Sequence, residues 1–321
     1  MPITRSKTLE LPDGRILGYR ERPGRGRPLV LVHGLMDCSA GWETLAKATH
    51  RPVVAFDLPG MGESDCPTSP QIDAFAADLA SAIELLGVRD FTLVGHSFGG
   101  AVVTALAERI PDEVAALVLL APSGFGRIAA TELTSAPVVK QIFRHALPLA
   151  LANPITATGI YMGMVAPGRT PDRKLLGRLC SRAWRIAPGI QAASQAMADA
   201  GRSDSAFFRR RVGYHGPVLA LWGSNDIVVS PGHRAGLATA FPQAEISVWE
   251  GMGHHPQRER PEELLRFVEN AATHARRARR QNVRVLRPAQ RDAALPAQRD
   301  AARPAHRRPA LALVESDRAA A

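Results

Sequence analysis

Apolar and polar positions alternate between two rhythms along most of the chain. Pro28 to Val32, Pro52 to Phe56, Phe91 to Val94 and Val114 to Leu120 are short aliphatic or β-branched runs, and Pro217 to Trp222 and Glu245 to Trp249 are two more. Runs that are apolar on successive positions predict strands of a parallel sheet covered on both faces. Ile72, Phe75, Leu79, Ile83 and Leu86 recur at helical spacing, with Ser69-Pro70 read as cap and first-turn proline. Pro261-Glu262-Glu263 opens another helix with its acids where the helix dipole favours them, and Leu264, Leu265, Val268 and Ala272 form its buried stripe. Strands and helices joined by such short connections predict a doubly wound, mostly parallel α/β sheet.

The alternation stops between Leu120 and Pro217. Residues 126–215 read as helix broken by prolines, an insertion expected to form a lid over the carboxyl ends of the strands. Within it, 146–168 carry no charge but include Pro148, Asn153, Pro154, Gly159, Gly163 and Pro167. That composition argues against a transmembrane span and for a buried or pocket-lining segment. Near the end, Pro288 to Leu295 recurs as Pro296 to Arg303 with one change. An Ala/Arg/Pro repeat almost without aromatics cannot assemble a core, so 277–321 is expected to be a disordered tail behind one domain over 1–276.

Charge sharpens this division. The chain of 321 residues has a net charge of +10, unevenly placed. Residues 272–321 hold 12 Arg/Lys against 4 Asp/Glu, and 126–215 hold 13 against 4. The remaining body, 1–125 with 216–271, holds 15 against 22 and is acidic. Overall basicity is therefore no argument for nucleic acid, and no specific nucleic-acid partner is expected. Solvated arginines account for the basic insertion most simply; peripheral contact of insertion or tail with an anionic membrane is the other account. Cys38, Cys66 and Cys180 are odd in number and widely spread, and no apolar run follows the first residues. Both features suit a reducing, cytoplasmic setting without disulfides or a secretory signal.

The strongest chemical signal is Gly95-His96-Ser97-Phe98-Gly99-Gly100, directly after strand 91–94 and before a helix at 101–109. A serine hydroxyl is a weak nucleophile and must stand clear of the backbone at a strand end to be reached. A turn that sharp needs glycines two residues to either side, and the following helix directs N–H groups at developing negative charge.

With this motif the sequence resembles the α/β-hydrolase superfamily over about residues 8–275. Leu11 to Arg15 resembles its opening hairpin, His33-Gly34-Leu35 its oxyanion loop, and Asp57 to Ser64 (D-L-P-G-M-G-E-S) the loop after the next strand. The resemblance implies an oxyanion hole from the backbone N–H groups of Leu35 and Phe98, with His33 and His96 as structural hydrogen-bonders. Gly251-Met252-Gly253-His254-His255-Pro256, followed by Glu259 and Pro261, aligns with the family pattern with His254 as base, in preference to its neighbour His255. Asp226, after strand 217–222, matches the usual acid position; the family's other acid site reads Ala121-Pro122-Ser123 and has no carboxylate. The order Ser97, Asp226, His254 is the one this fold requires.

These readings together imply a serine hydrolase that cleaves a small or medium, apolar or amphiphilic acyl ester through an acyl-enzyme. No cofactor or metal is expected, because no histidine–carboxylate cluster has ligand spacing and no phosphate loop is visible. In the insertion, Ile160, Tyr161, Met162 and Met164 are candidates for an apolar acyl pocket, with simple packing as the plainer account. Three alternatives remain at this stage, one of them a ligand-binding protein that kept these three residues, which nothing in the sequence marks. Carbon–carbon bond hydrolases of dienoate ring-fission products share the 57–64 loop but commonly carry tryptophan where this chain has His255, and would use an arginine such as Arg169, Arg178, Arg182 or Arg185. Acyltransferases and perhydrolases use the same three residues with a different acceptor.

Overall fold

The computed structural model describes residues 6–163, 170–204 and 206–271. The tail at 277–321, and Met164, Arg169 and Ala272, lie outside the described residues.

Eight strands form one sheet in the order β1-β2-β4-β3-β5-β6-β7-β8. They are β1 (Lys7–Glu10), β2 (Ile16–Arg22), β3 (Leu29–Val32), β4 (Val53–Phe56), β5 (Phe91–His96), β6 (Val114–Leu120), β7 (Val218–Gly223) and β8 (Glu245–Trp249). Only the β1–β2 and β2–β4 pairings are antiparallel. The opening hairpin turns through Gly14, whose φ of 82° suits a residue without a Cβ. The six predicted strands are all present, each within a residue or two of its expected bounds.

Strand periodicity divides the core. Val30, Val32, Leu93, Leu117 and Ala220 face one side, packed with α2 (Ile72–Leu85) and α3 (Phe98–Arg109). Leu29, Leu31, Val94, Val118 and Leu221 face the other, against Trp42, α1 (Glu43–Ala48) and a helix over 261–271. Both faces are thus covered, which is why the central strands are apolar throughout. The helix over 261–271 buries Leu264, Val268 and Ala271, while Leu265 is half-buried. Helix α2 starts two residues later than the expected cap: Gln71, in extended backbone, precedes its first turn, so Ser69 and Pro70 belong to the preceding loop.

From β3, the chain crosses to β4 on one side and later to β5 on the other. This reversal opens a crevice at the carboxyl ends of β3 and β5, the place where open α/β sheets bind ligands.

The insertion between β6 and β7 comprises α4 (Ala129–Ser135), α5 (Pro137–Ala152), α6 (Pro154–Met162), α7 (Arg173–Ser181) and α8 (Ala183–Arg202). The described part of the uncharged stretch, 146–163, falls in two helices, broken where Asn153 accepts a hydrogen bond from Ile155 N (2.9 Å) and Pro154 occupies the first turn. No described helix is long and apolar enough to cross a membrane. Leu147, Leu151, Tyr161, Leu179, Ile186 and Ile190 give the insertion a small core of its own. Further along α8, Ala193, Ala196 and Met197 join the core of the sheet. There α8 approaches the 57–64 loop so closely that a Cβ on Gly189 would stand 2.2 Å from the carbonyl oxygen of Gly60. Two glycines are needed at that crossing.

Candidate active site

Ser97 sits between β5 and α3 with φ 52° and ψ −120°, a conformation that L-residues rarely adopt. Its backbone is over-determined: Ser97 N–H donates to Leu120 O (2.9 Å), and its carbonyl accepts from Gly100 N (2.8 Å) and Ser123 N (3.0 Å). The flanking glycines are steric requirements. A Cβ on Gly99 would lie 2.3 Å from His33 O, and one on Gly95 2.3 Å from a Val103 methyl.

This strained turn presents the hydroxyl to an imidazole. Ser97 Oγ–H donates to His254 Nε2 at 2.9 Å, and His254 Nδ1–H donates to Asp226 Oδ2 at 2.7 Å. The other Asp226 oxygen accepts from Val228 N and Val229 N, each at 2.9 Å. These bonds hold the carboxylate plane in position and leave Oδ2 for the imidazole. All three side chains are buried. Sequence positions 97, 226 and 254 thus meet at the ends of β5, β7 and β8. His254, and not His255, stands between the serine and the acid.

The expected oxyanion donors lie beside the serine. Phe98 opens α3, so its N–H is one of the unsatisfied donors of a helix start. Leu35 N–H donates to no acceptor among the described residues. The loop that carries Leu35 is held by His33, whose Nδ1–H donates to Gly34 O (2.7 Å) and whose Nε2 accepts from Leu58 N (3.0 Å). Asp57 adds bonds from Ser39 N (2.6 Å) and Glu63 N (3.0 Å), so the 57–64 loop braces the oxyanion loop.

His96 is also structural. Its Nε2–H donates to His254 O (2.7 Å) and its Nδ1 accepts from Gln257 Nε2 (3.2 Å). Burial, reinforced by the neighbouring His254, pushes its pKa down to about 3, so the ring is neutral. His255 is buried beside both rings and stacks on Tyr161 of α6 at 6.0 Å between centroids. Neither of its ring nitrogens has a partner among the described residues, and burial followed by the adjacent His96 and His254 lowers its pKa well below the ordinary value.

Sequence reasoning did not find Arg258. Partly buried in the short helix α10 (Pro256–Glu259), it binds Asp37 Oδ2 at 2.6 Å through Nη2 and Asp172 through Nη1. Asp172 caps α7 by accepting from Leu175 N (3.0 Å). One guanidinium therefore joins the His254 loop, the Leu35 loop and the insertion. Only Asp37, two residues beyond Leu35, was a signal, and sequence alone offers no partner for it.

Other residues singled out from sequence are placed differently from one another. Tyr161 is buried, whereas Ile160 is 37% exposed. Arg182 pairs with Glu63 and also reaches Gly62 O (3.3 Å), while Arg185 donates to Glu63 O (3.0 Å). Both are committed to anchoring the insertion. Cys38, Cys66 and Cys180 are free, and burial, with Asp37 nearby, raises the Cys38 thiol to about 11, which keeps it protonated.

A family model described as alpha/beta hydrolase fold matches residues 27–155, the segment that holds β3, the Ser97 turn and the start of the insertion. The chain has the α/β-hydrolase fold. Among its relatives is the sn-1-specific diacylglycerol lipase ABHD11 of Mus musculus, 28% identical over 255 residues that cover 75% of this chain and 79% of the relative. Rv2715 of Mycobacterium tuberculosis is 28% identical over 280 residues, covering 78% of each. The solved structure of a thermophilic esterase from Thermogutta terrifontis shares the fold with TM-score 0.67 and 23% identity, covering 85% of this chain and 99% of that one. The chain therefore keeps that fold along nearly all of its described length.

Proposed function

We propose that the chain is a serine hydrolase of carboxylic esters, with Ser97 as nucleophile, His254 as base and Asp226 as the acid that orients it. The observation that carries this reading is the buried hydrogen-bond chain from Ser97 Oγ to His254 Nε2 (2.9 Å) and from His254 Nδ1 to Asp226 (2.7 Å). As Ser97 Oγ bonds to the ester carbonyl carbon, His254 takes the hydroxyl proton and Asp226 stabilises the imidazolium. The carbonyl oxygen becomes an oxyanion that accepts from Leu35 N–H and Phe98 N–H. Collapse breaks the carbon–oxygen bond to the alcohol, which leaves with the His254 proton. Water, deprotonated by His254, then attacks the acyl-enzyme and releases the carboxylic acid and free Ser97.

The insertion acts as a lid in this scheme, and its buried Tyr161 next to His255 gives that side of the crevice an apolar wall suited to an acyl chain. The lipase name carried by the mouse relative agrees with an amphiphilic ester. Of the arginines that a carbon–carbon bond hydrolase would use, Arg182 and Arg185 are engaged with Glu63 and its backbone, whereas the buried Nε of Arg178 has no partner among the described residues.

The test is a panel of acyl esters graded in chain length and charge, run on wild type and Ser97→Ala with fluorophosphonate labelling alongside. Wild type is expected to turn over esters and to label on Ser97, and the variant to do neither. A wild type that is inert across the panel and unlabelled overturns the proposal.

A further inference from the structure

Helices α5 and α8 pack together through Leu147, Leu151, Ile186 and Ile190, and beside that contact a cleft of about 460 Å³ remains open. Lys140, Arg144 and Pro148 recur every four residues, so one stripe of α5 forms its first wall. Trp184, Pro188 and Gln191 form the matching stripe of α8. The third wall is the 66–70 loop, so the insertion and the body both line the cleft. Ser97, Asp226, His254 and Leu35 do not line it. Its volume lies in the range that takes a small organic ligand.

The charge of this cleft is one-sided. Lys140 and Arg144 are exposed and in no ion pair among the described residues. No carboxylate is among its lining residues, α5 contains none, and the first acid of α8 is Asp199. Like charges one helical turn apart repel, so this pair weakens α5 rather than supporting it. An oxyanion held between them turns that repulsion into attraction, and the guanidinium offers it two parallel N–H donors. Beyond the two cations the wall is apolar. Trp184 is 66% exposed, and Pro148, Ala187 and Pro188 join it in the lining. An indole open to solvent beside a cation pair suits a planar ring that carries negative charge.

We propose that the cleft between α5 and α8 is a binding site for a small aromatic oxyanion. The anionic group sits on Lys140 and Arg144, and the ring packs against Trp184. A ligand held there touches the insertion and the body together. This site is independent of the ester-hydrolase reading, and its test needs no turnover.

The full-length protein is titrated by calorimetry with 2-naphthoate, with 2-naphthylmethanol, which keeps the ring without the charge, and with inorganic phosphate, which lacks the ring. 2-Naphthoate is expected to bind about tenfold more tightly than 2-naphthylmethanol, at roughly threefold for each exposed ion pair. It should also bind more tightly than phosphate. The indole N–H resonance of Trp184, identified by its loss in Trp184→Phe, should shift as 2-naphthoate is added. Lys140→Ala with Arg144→Ala should weaken 2-naphthoate about tenfold, whereas Lys140→Arg with Arg144→Lys should retain most of the affinity. Trp184→Ala should weaken it about fivefold. Equal affinity for 2-naphthoate and 2-naphthylmethanol would remove the anion from the proposal and overturn it. So would absence of binding, or binding that the alanine pair leaves unchanged with no shift at Trp184, which would place the ligand elsewhere.

Discussion

Arg258 Nη2 lies 2.6 Å from Asp37 Oδ2, joining the loop that carries His254 to the loop that carries Leu35. Burial alone would raise the Asp37 carboxyl, but the Arg258 charge and hydrogen bond overcome it and hold Asp37 below the usual carboxylate range. Arg258→Ala leaves that carboxylate buried without its partner. Urea unfolding should show a loss of about 3–5 kcal/mol. The double replacement Arg258→Met with Asp37→Leu should recover most of that stability, yet ester turnover should stay low because the two loops are no longer aligned. Recovery of full turnover in the double variant would refute a positioning role for the pair.

Ser97 stores strain in its φ of 52°. Ser97→Gly relieves it and should raise stability by about 1–2 kcal/mol relative to Ser97→Ala, while both variants lose about 10⁴-fold or more in kcat. Thermal unfolding of the two inactive proteins separates strain from chemistry, since neither has the hydroxyl. Equal melting temperatures would show that the turn carries no strain.

The backbone crossing of Gly189 and Gly60 ties the insertion to the 57–64 loop. A Cβ added at Gly189 meets the Gly60 carbonyl oxygen at 2.2 Å, an obstacle that no side-chain rotation removes. Gly189→Ala should cost about 1–3 kcal/mol and loosen the insertion, read as faster amide exchange in α8. Exchange unchanged in α8 would mean that the contact does not anchor it.

Acid should destabilise the fold through His96 and His255. Both have folded-state pKa values below the unfolded value of about 6.5, so below that pH the unfolded chain binds protons that the folded chain refuses. Stability should be full above about pH 6.5 and fall progressively toward the folded value of about 3 at His96. Between about pH 7.5 and 4.5 the loss from His96 is on the order of 2 kcal/mol. His255→Phe removes two unpartnered nitrogens and should add about 1 kcal/mol near neutral pH. Its denaturation midpoint should also fall less steeply with acid; a slope identical to wild type would remove His255 from this account.

Much of this was legible because it is written in local pattern. Runs apolar on both faces announce covered parallel strands, and both core clusters bear this out: Leu29 and Leu31 pack on one side of the sheet, Val30 and Val32 on the other. A serine with glycines two residues to either side, between a strand and a helix, announces a tight turn, and the φ of Ser97 is that turn. Where local signals compete, the pattern is weaker. Ser69-Pro70 looks like a helix start, yet Gln71 is still in extended backbone and α2 begins at Ile72.

The sequence by itself determined the alternating sheet, the tight Ser97 turn and the motifs around Asp226 and His254, because each depends on residues close together in the chain. Tertiary structure decided which residues at distant positions share a charge or a proton. It brought Ser97, His254 and Asp226 into one hydrogen-bond chain, gave His255 to the stack with Tyr161, and set Arg258 between Asp37 and Asp172. Such pairings follow from loop ends converging at the edge of one sheet, and no spacing along the chain encodes that convergence.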